Sequence, residues 1–465
     1  MPSRKSLGLA IALLVGCGAP LPASVLRTVD AAPRVEAARD SEDPEADEPD
    51  PTAPDGPTKP PEPVLLATAA PIPTPALPTA SPPPPSAHAP SKPDPLIASV
   101  LTRGGAALKD VLAAPAKYRF QVLYAAVTTP PKGTPTLERH EYRADAEYFF
   151  PASSMKVPIA LAGYERLPTM RSAGRPSLSR DASLRIFPVE GEADPYVTTL
   201  ARETWRALIV SDNSSANRLL AFTGHREANE TLWGLRLGSA RVRTGFSMTA
   251  DSAPPEVSPR IGVVSSSGTL EDIPARRSVL ALPKTKAAGL DIGTASIVDG
   301  RRVSGPMSFA DKNAMSLRDL QDTLVRIVRP ELLAKGSPAG HVTKDDLAYL
   351  KKALGTLPSQ SGIAGYDRNV VADYRLVPFL RGIERVLSRD KFEIYTKVGQ
   401  AYGFLTANAY IVHKESGKGF FLLATIYANP NEVLNDDVYA YDTVAFPVLA
   451  DVAEAFTRHA FATAK

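Results

Sequence analysis

The sequence predicts an α/β (α+β) fold: one antiparallel sheet flanked by N- and C-terminal helices, with an all-helical subdomain attached. Two observations carry this. Apolar residues recur at helical spacing at both ends of the ordered chain, in Leu96 to Ala113 and in Tyr441 to Phe456. Five β-rich runs lie between those ends: Tyr118 to Val127, Glu138 to Tyr142, Phe392 to Gln400, Leu405 to His413 and Gly419 to Tyr427.

Each element has a local reason. Leu96, Val100, Leu101, Leu108, Val111 and Leu112 put an apolar stripe on the first helical segment. Thr128-Thr129-Pro130-Pro131-Lys132-Gly133 is a turn between the first two strands. A helix follows from Ser153. Pro168 to Asp194 is polar and irregular, and a second helical pattern starts near Tyr196 with Val197, Leu200, Ala201, Leu208 and Ile209. Glu227 to Leu235 is helical and Ala240 to Val242 extended. Ser247 to Pro306 is rich in Ser, Pro and Gly and reads as a long loop or insertion. Helices return in Ser308 to Val328, Asp345 to Leu354 and Arg375 to Leu387, ahead of the last three strands.

The N-terminal part has another character. Arg4 and Lys5 precede an apolar run from Leu7 to Val15 that ends at Gly16-Cys17, the pattern of a signal peptide over residues 1–17. Leu14-Val15-Gly16-Cys17 is similar to a bacterial lipobox, and Cys17 is the single cysteine of the chain. Its lipidation would anchor the protein at a membrane surface. Gly18 after it, rather than aspartate, points to the outer membrane, with the protein facing the periplasm. Residues 18–93 are acidic and then proline-rich, a composition that cannot bury enough surface to offset the entropy of ordering. That stretch is expected to be a disordered spacer, and residues 94–465 to be the folded domain.

Composition narrows the rest. The 465 residues carry 53 basic and 50 acidic side chains, a net +3, which gives no support to a nucleic-acid partner. With one cysteine no intramolecular disulfide can form, and six histidines without clustered spacing give no support to a metal site. No cofactor is expected, and a monomer is.

The candidate chemistry centres on Pro151-Ala152-Ser153-Ser154-Met155-Lys156-Val157-Pro158. Three positions apart on a helix, Ser153 and Lys156 share a face, which brings a hydroxyl within reach of an amine. Burial and the helix N-terminus both disfavour an ammonium there, so Lys156 suits the role of general base toward Ser153. By spacing alone, a helix cap with a chance lysine one turn on is the better account of Ser153, and what reverses that order lies further along the chain. Ser388-Arg389-Asp390-Lys391 has the same spacing, but its charges mark a solvated helix end.

Two further motifs follow in order. Val210-Ser211-Asp212-Asn213 runs into Ser214-Ser215-Ala216-Asn217-Arg218-Leu219-Leu220, and Tyr395-Thr396-Lys397-Val398-Gly399-Gln400 sits on a predicted strand. Together the Ser-x-x-Lys, Ser-Asp-Asn and Lys-x-Gly motifs resemble those of the class A β-lactamase-like, penicillin-binding serine hydrolases, over about residues 94–465. The resemblance implies a β-lactamase/transpeptidase-like fold and a serine acyl-enzyme formed with a β-lactam or peptidoglycan-like substrate. In it, Ser153 would be the nucleophile, Lys156 its base and Ser211 the proton donor to the leaving nitrogen. Asn213 would bind a substrate amide and Lys397 a carboxylate, with Gly399 and Gln400 on the same strand. The N–H groups of Ser153 and Gln400 would form an oxyanion hole.

Two departures stand out. Val398 replaces the family's hydroxyl residue, and no Glu-x-x-Leu-Asn stretch follows the Ser211 helix. Where that glutamate is expected, the chain reads Arg243-Thr244-Gly245-Phe246-Ser247-Met248. An acyl-enzyme that forms but turns over slowly is the expectation, with Glu256 and Glu271 as substitutes that no spacing supports. Three functions stay open: a β-lactamase, a D-alanyl-D-alanine peptidase or slow penicillin-binding hydrolase, and a non-catalytic binding module of the cell envelope.

Overall fold

The structure is a computed structural model that describes residues 94–130, 132–189, 194–247, 254–278 and 280–461. The expected leader with Cys17 and the spacer up to residue 93 lie outside the described residues. The expected fold class is the one observed: a five-stranded antiparallel sheet with helices on both faces.

The sheet comprises β1 (Gln121–Thr128), β2 (Thr136–Tyr142), β3 (Phe392–Ala401), β4 (Phe404–His413) and β5 (Gly419–Tyr427), in the order β3-β4-β5-β1-β2. Chain-distant β1 and β5 pair at its centre, with Leu123 opposite Leu423. The hairpin between β3 and β4 turns on Tyr402 and Gly403, both at positive φ (53° and 81°), which matches the sense of twist that two-residue hairpins need.

One face is covered by α1 (Pro95–Leu101), α2 (Ala106–Ala113) and the C-terminal helix Phe446–Phe461. Tyr124 stacks on Phe456 with ring centroids 4.8 Å apart, across the sheet–helix interface. Burying such a side chain contributes roughly 1.5–3 kcal/mol. The expected single helix over Leu96 to Ala113 is two helices, because Gly104 and Gly105 break it. A Cβ on Gly104 would meet Leu108 Cδ2 at 2.4 Å, and one on Gly105 would meet the Asp451 carboxylate at 2.4 Å. Asp451 instead accepts the Leu108 N–H at 3.2 Å.

The other face carries the helical region. Its centre is α3 (Lys156–Ser172), buried along most of its length, and packed by α4 (Leu200–Ile209), α5 (Asn213–Thr223), α6 (His225–Gly234) and α7 (Leu317–Val328). Asn408 of β4 donates to Leu320 O of α7 at 2.8 Å, which ties sheet to helices. The second helical pattern begins later than expected. Tyr196–Thr198 is a short strand paired with Leu184–Ile186, and α4 starts at Leu200, capped by Thr199 Oγ1. Arg375 to Leu387 contains a short helix, Leu380–Glu384, and the C-terminal helix opens at Tyr441 as expected, with a π-helical turn, Tyr441–Ala445, running into the α-helical Phe446–Phe461.

The long segment after Ser247 also differs from a plain loop. It holds short strands, among them Ile261–Val264, which pairs with Leu184–Ile186, and Ala295–Val298, which pairs with Val433–Leu434. Its two ends meet. Asn313 Oδ1 accepts from Arg243 N at 2.7 Å and Thr244 N at 3.0 Å, and its amide donates to Thr244 O at 3.1 Å. The insertion is therefore a lobe with a stapled neck.

Candidate active site

The Phe149-Phe150-Pro151 run enters a 3₁₀ turn, Ala152–Met155, that leads directly into α3. Ser153 and Ser154 are buried in that turn, and Ala152 takes a left-handed φ of 45°. Strand β3 passes so close behind it that a Cβ on Gly399 would lie 2.2 Å from Pro151 O and 3.0 Å from Ser154 N. Only glycine permits that approach. The third element of the Lys-x-Gly motif thus has a packing reason: it lets the strand back the Ser153 turn.

Lys156 is fully buried. Its Nζ donates to Asn213 Oδ1 at 2.6 Å, to Ser211 Oγ at 3.2 Å and to the Ser211 carbonyl. Lys397, from β3, donates to the same Ser211 Oγ at 2.8 Å and to Val398 O at 3.0 Å. One hydroxyl therefore accepts from two buried amines, which leaves its own proton available to donate. Ser211 reaches this position from a left-handed backbone (φ 60°) between α4 and α5, just ahead of Asp212, which caps α5 through Ser215 N at 2.7 Å.

The electrostatics favour neutral amines. Burial, reinforced by the nearby charge of Lys397, holds Lys156 well below the usual lysine value, with Asp212 pulling the other way. Burial brings Lys397 down to about 7. Two ammonium groups sharing one desolvated pocket are disfavoured together, so this cluster can accept a proton near neutrality.

One expected contact is not made. Among the described residues, Lys156 Nζ forms no hydrogen bond to Ser153 Oγ; it is turned toward Ser211 and Asn213 instead. Ser153, Asn213 and Gln400 line a common cleft of about 300 Å³. Lys156, Ser211 and Lys397 form the buried cluster beside it, and Gly399 backs the Ser153 turn. The sequence-derived site residues of the folded domain thus converge, while Cys17 lies outside the described residues.

The structure adds residues that sequence motifs did not reveal. Phe246 lines the cleft and places its ring 4.8 Å from Lys156 Nζ. Asn217 holds Phe246 by both backbone groups, donating to its carbonyl at 2.9 Å and accepting its N–H at 2.8 Å. An aromatic ring thus packs against the lysine in the stretch where the resemblance called for a glutamate. Asn217 was legible as part of the second motif's flank, but nothing in the sequence signalled Phe246. Glu256 and Glu271 do not substitute. Glu271 accepts from Ser177 N at 3.0 Å, Glu256 lies 4.0 Å from Arg277, and neither lines the cleft. Among the described residues, no carboxylate lines it at all. Val398 is 1% exposed and is likewise not part of the lining.

No family model matches the chain, and no curated protein does. Solved structures with a similar trace include a β-lactamase from Sphaerobacter thermophilus, at 12% identity and a TM-score of 0.43, covering 78% of this chain and 96% of that one. A β-lactamase from Burkholderia vietnamiensis aligns at 13% identity and a TM-score of 0.41, over 79% of this chain and 95% of that one. The chromosome-encoded β-lactamase of Vibrio parahaemolyticus aligns at 16% identity and a TM-score of 0.40, over 76% of this chain and 97% of its own.

Proposed function

We propose that the chain is a serine hydrolase of β-lactamase-like type that forms an acyl-enzyme at Ser153 with β-lactams or related amides and releases it slowly. The observation that carries this reading is the buried Lys156–Ser211–Lys397 cluster, with lowered amine pKa values, beside a nucleophile-bearing turn on an open cleft. In the forward step Ser153 Oγ attacks the substrate carbonyl carbon, and its proton passes to neutral Lys156 as the C–O bond forms. The oxyanion would be held by the Ser153 and Gln400 N–H groups. Ser211 then gives its proton to the leaving nitrogen as the C–N bond breaks, and is reprotonated from the lysine pair. To serve Ser153, Lys156 must turn from Ser211 and Asn213, and catalytic hydrogen bonds often tighten only in the substrate complex.

Slow release is supported by the Phe246 ring against Lys156 and by the lack of a lining carboxylate among the described residues. Both favour a penicillin-binding hydrolase or D-alanyl-D-alanine peptidase over an efficient β-lactamase. We further propose that Cys17 is lipidated and holds the enzyme in the cell envelope. Cys17→Ser should then shift the protein out of the membrane fraction, and unchanged partition would refute the anchor. The test of the main reading is full-length protein incubated with benzylpenicillin and followed by intact mass. A persistent adduct on Ser153 is expected; rapid turnover would indicate an efficient β-lactamase, and no adduct would leave the binding-module reading in its place.

A further inference from the structure

We propose that Arg206 is a positioning residue for the reaction at Ser153: it anchors the turn that carries Ser211 and holds the Asp212 carboxylate away from the Lys156 amine. The proposal rests on the acyl-enzyme reading above and adds to it a residue outside the cleft lining.

Arg206 meets this turn through backbone and side chain together. Near the end of α4, its carbonyl accepts the N–H groups of Val210 at 3.3 Å and Asp212 at 3.2 Å, the two chain neighbours of Ser211. Ser211 itself has a left-handed φ of 60°, a conformation that a non-glycine residue keeps only where its surroundings impose it. The guanidinium adds a third tie, with Nη2 donating to Asp212 Oδ2 at 2.8 Å. The other carboxylate oxygen, Oδ1, accepts the Ser215 N–H at 2.7 Å. Both oxygens of Asp212 are thereby engaged, while Lys156 Nζ takes its neighbours in sequence, Ser211 on one side and Asn213 on the other.

That arrangement decides the state of the base. A carboxylate brought onto a buried amine would fix it as ammonium, which cannot take the Ser153 proton. Burial lowers the Lys156 value most; of the charged groups, Lys397 on β3 lowers it further and Asp212 raises it. Asp212 is faced by Arg206 from α4 and by the Tyr366 phenol, and Glu203 and Tyr196 act on Arg206 in turn. Burial works to raise the Asp212 carboxyl, but the Ser215 N–H and the Arg206 guanidinium hold it below its ordinary value. It is therefore an anion throughout the range in which the lysines titrate. Without Arg206, Oδ2 loses its cation, and the Lys156 amine, which this carboxylate already acts on, can take its place.

Acylation of the full-length protein by benzylpenicillin, followed by intact mass across neutral pH, makes the test. Arg206→Met should move the midpoint of the acid limb up by about one unit, because the released carboxylate favours the ammonium. Arg206→Lys keeps the cation and should leave the midpoint at its wild-type value. Asp212→Asn keeps a helix-capping oxygen and removes the anion, so the midpoint should fall, and adding Arg206→Met to it should move the midpoint no further. An unchanged midpoint in Arg206→Met, even with a slower plateau, would show a merely structural role and overturns the proposal. An equal shift with and without the Asp212 carboxylate overturns it too. If Arg206→Met does not fold, Asp212→Asn decides: a lowered midpoint supports the proposal and an unchanged one rejects it. If benzylpenicillin acylates none of the proteins, the acyl-enzyme reading fails on its own. The amine is then read directly by carbon-13 NMR of lysine-labelled protein, its signal identified by loss in Lys156→Met. Titration at higher pH in Arg206→Met than in wild type supports the positioning role, and identical titration rejects it.

Discussion

Ser153-Ser-Met-Lys156 and Ser388-Arg-Asp-Lys391 have the same spacing, and both sit on 3₁₀ turns. They behave oppositely. Lys156 is at 0% exposure and has a second lysine as neighbour, so its amine is driven toward the neutral form. Lys391 pairs with Glu415 on the surface, and that carboxylate raises its pKa. A serine and a lysine one turn apart are a geometry and not yet a catalyst. Exclusion of water and a cation in place of an anion beside the amine make the lysine a base.

The largest effect expected from this contrast is at the two serines. Ser153→Ala should abolish acylation by a β-lactam, by about a thousandfold or more, while Ser388→Ala labels as wild type. Labelling that survives Ser153→Ala would erase the distinction between the two turns. Next come the lysines. Lys156→Ala should slow acylation by about 10²–10⁴-fold, the usual contribution of a positioned base, and Lys391→Ala should leave the rate unchanged. Single-turnover mass kinetics read both, and equal effects of the two substitutions would break the comparison.

How much of this was readable beforehand follows from where each residue lies. The five strands of the main sheet and the residues Ser153, Lys156, Ser211, Asn213, Lys397, Gly399 and Gln400 are carried by short, local patterns, and those are what a sequence displays. Phe246 and Asn313 were not readable, because their roles depend on a neck closed between residues 243 and 313, with no period to signal it. The insertion's strands were missed for a related reason. They are two to four residues long, and Ile261–Val264 finds its partner at Leu184–Ile186, far back in the chain. Val197 fits an apolar helical stripe by spacing, yet it is 55% exposed on a short strand.

Backing of the turn gives a smaller, structural test. Gly399→Ala would set a Cβ 2.2 Å from Pro151 O, a backbone atom that cannot swing aside. The strand or the Ser153 turn must shift, at a cost of about 1–3 kcal/mol, and acylation should fall with it. Denaturant unfolding and labelling kinetics on the same variant check both. A normally stable Gly399→Ala that acylates at the wild-type rate would show that the close approach of β3 does not hold the Ser153 turn in place.

The mildest perturbation is pH, and it separates the two lysine environments by sign. Lys397, brought down to about 7 in the folded protein, regains a value near 10.4 when unfolded. Between those limits the unfolded chain binds more protons than the native one, so this group makes stability rise with pH, by up to about 1.4 kcal/mol per unit. The contribution is complete above the unfolded value and is lost as pH falls toward about 7. Lys391 has the opposite sign: its raised pKa gives stability that is present at lower pH and is lost as pH climbs through its folded value. Lys397→Met should therefore flatten the rise of unfolding free energy between pH 7 and 9.5, and Lys391→Met should steepen it slightly at the alkaline end. Acylation should follow the buried pair, falling by up to tenfold per unit below about pH 7 as the amines gain protons. A rate that stays level from pH 7 down to pH 5.5 would mean that the amine serving Ser153 is still neutral there or takes no proton at all. In either case the lysine cluster would not act as the base whose titration limits the rate.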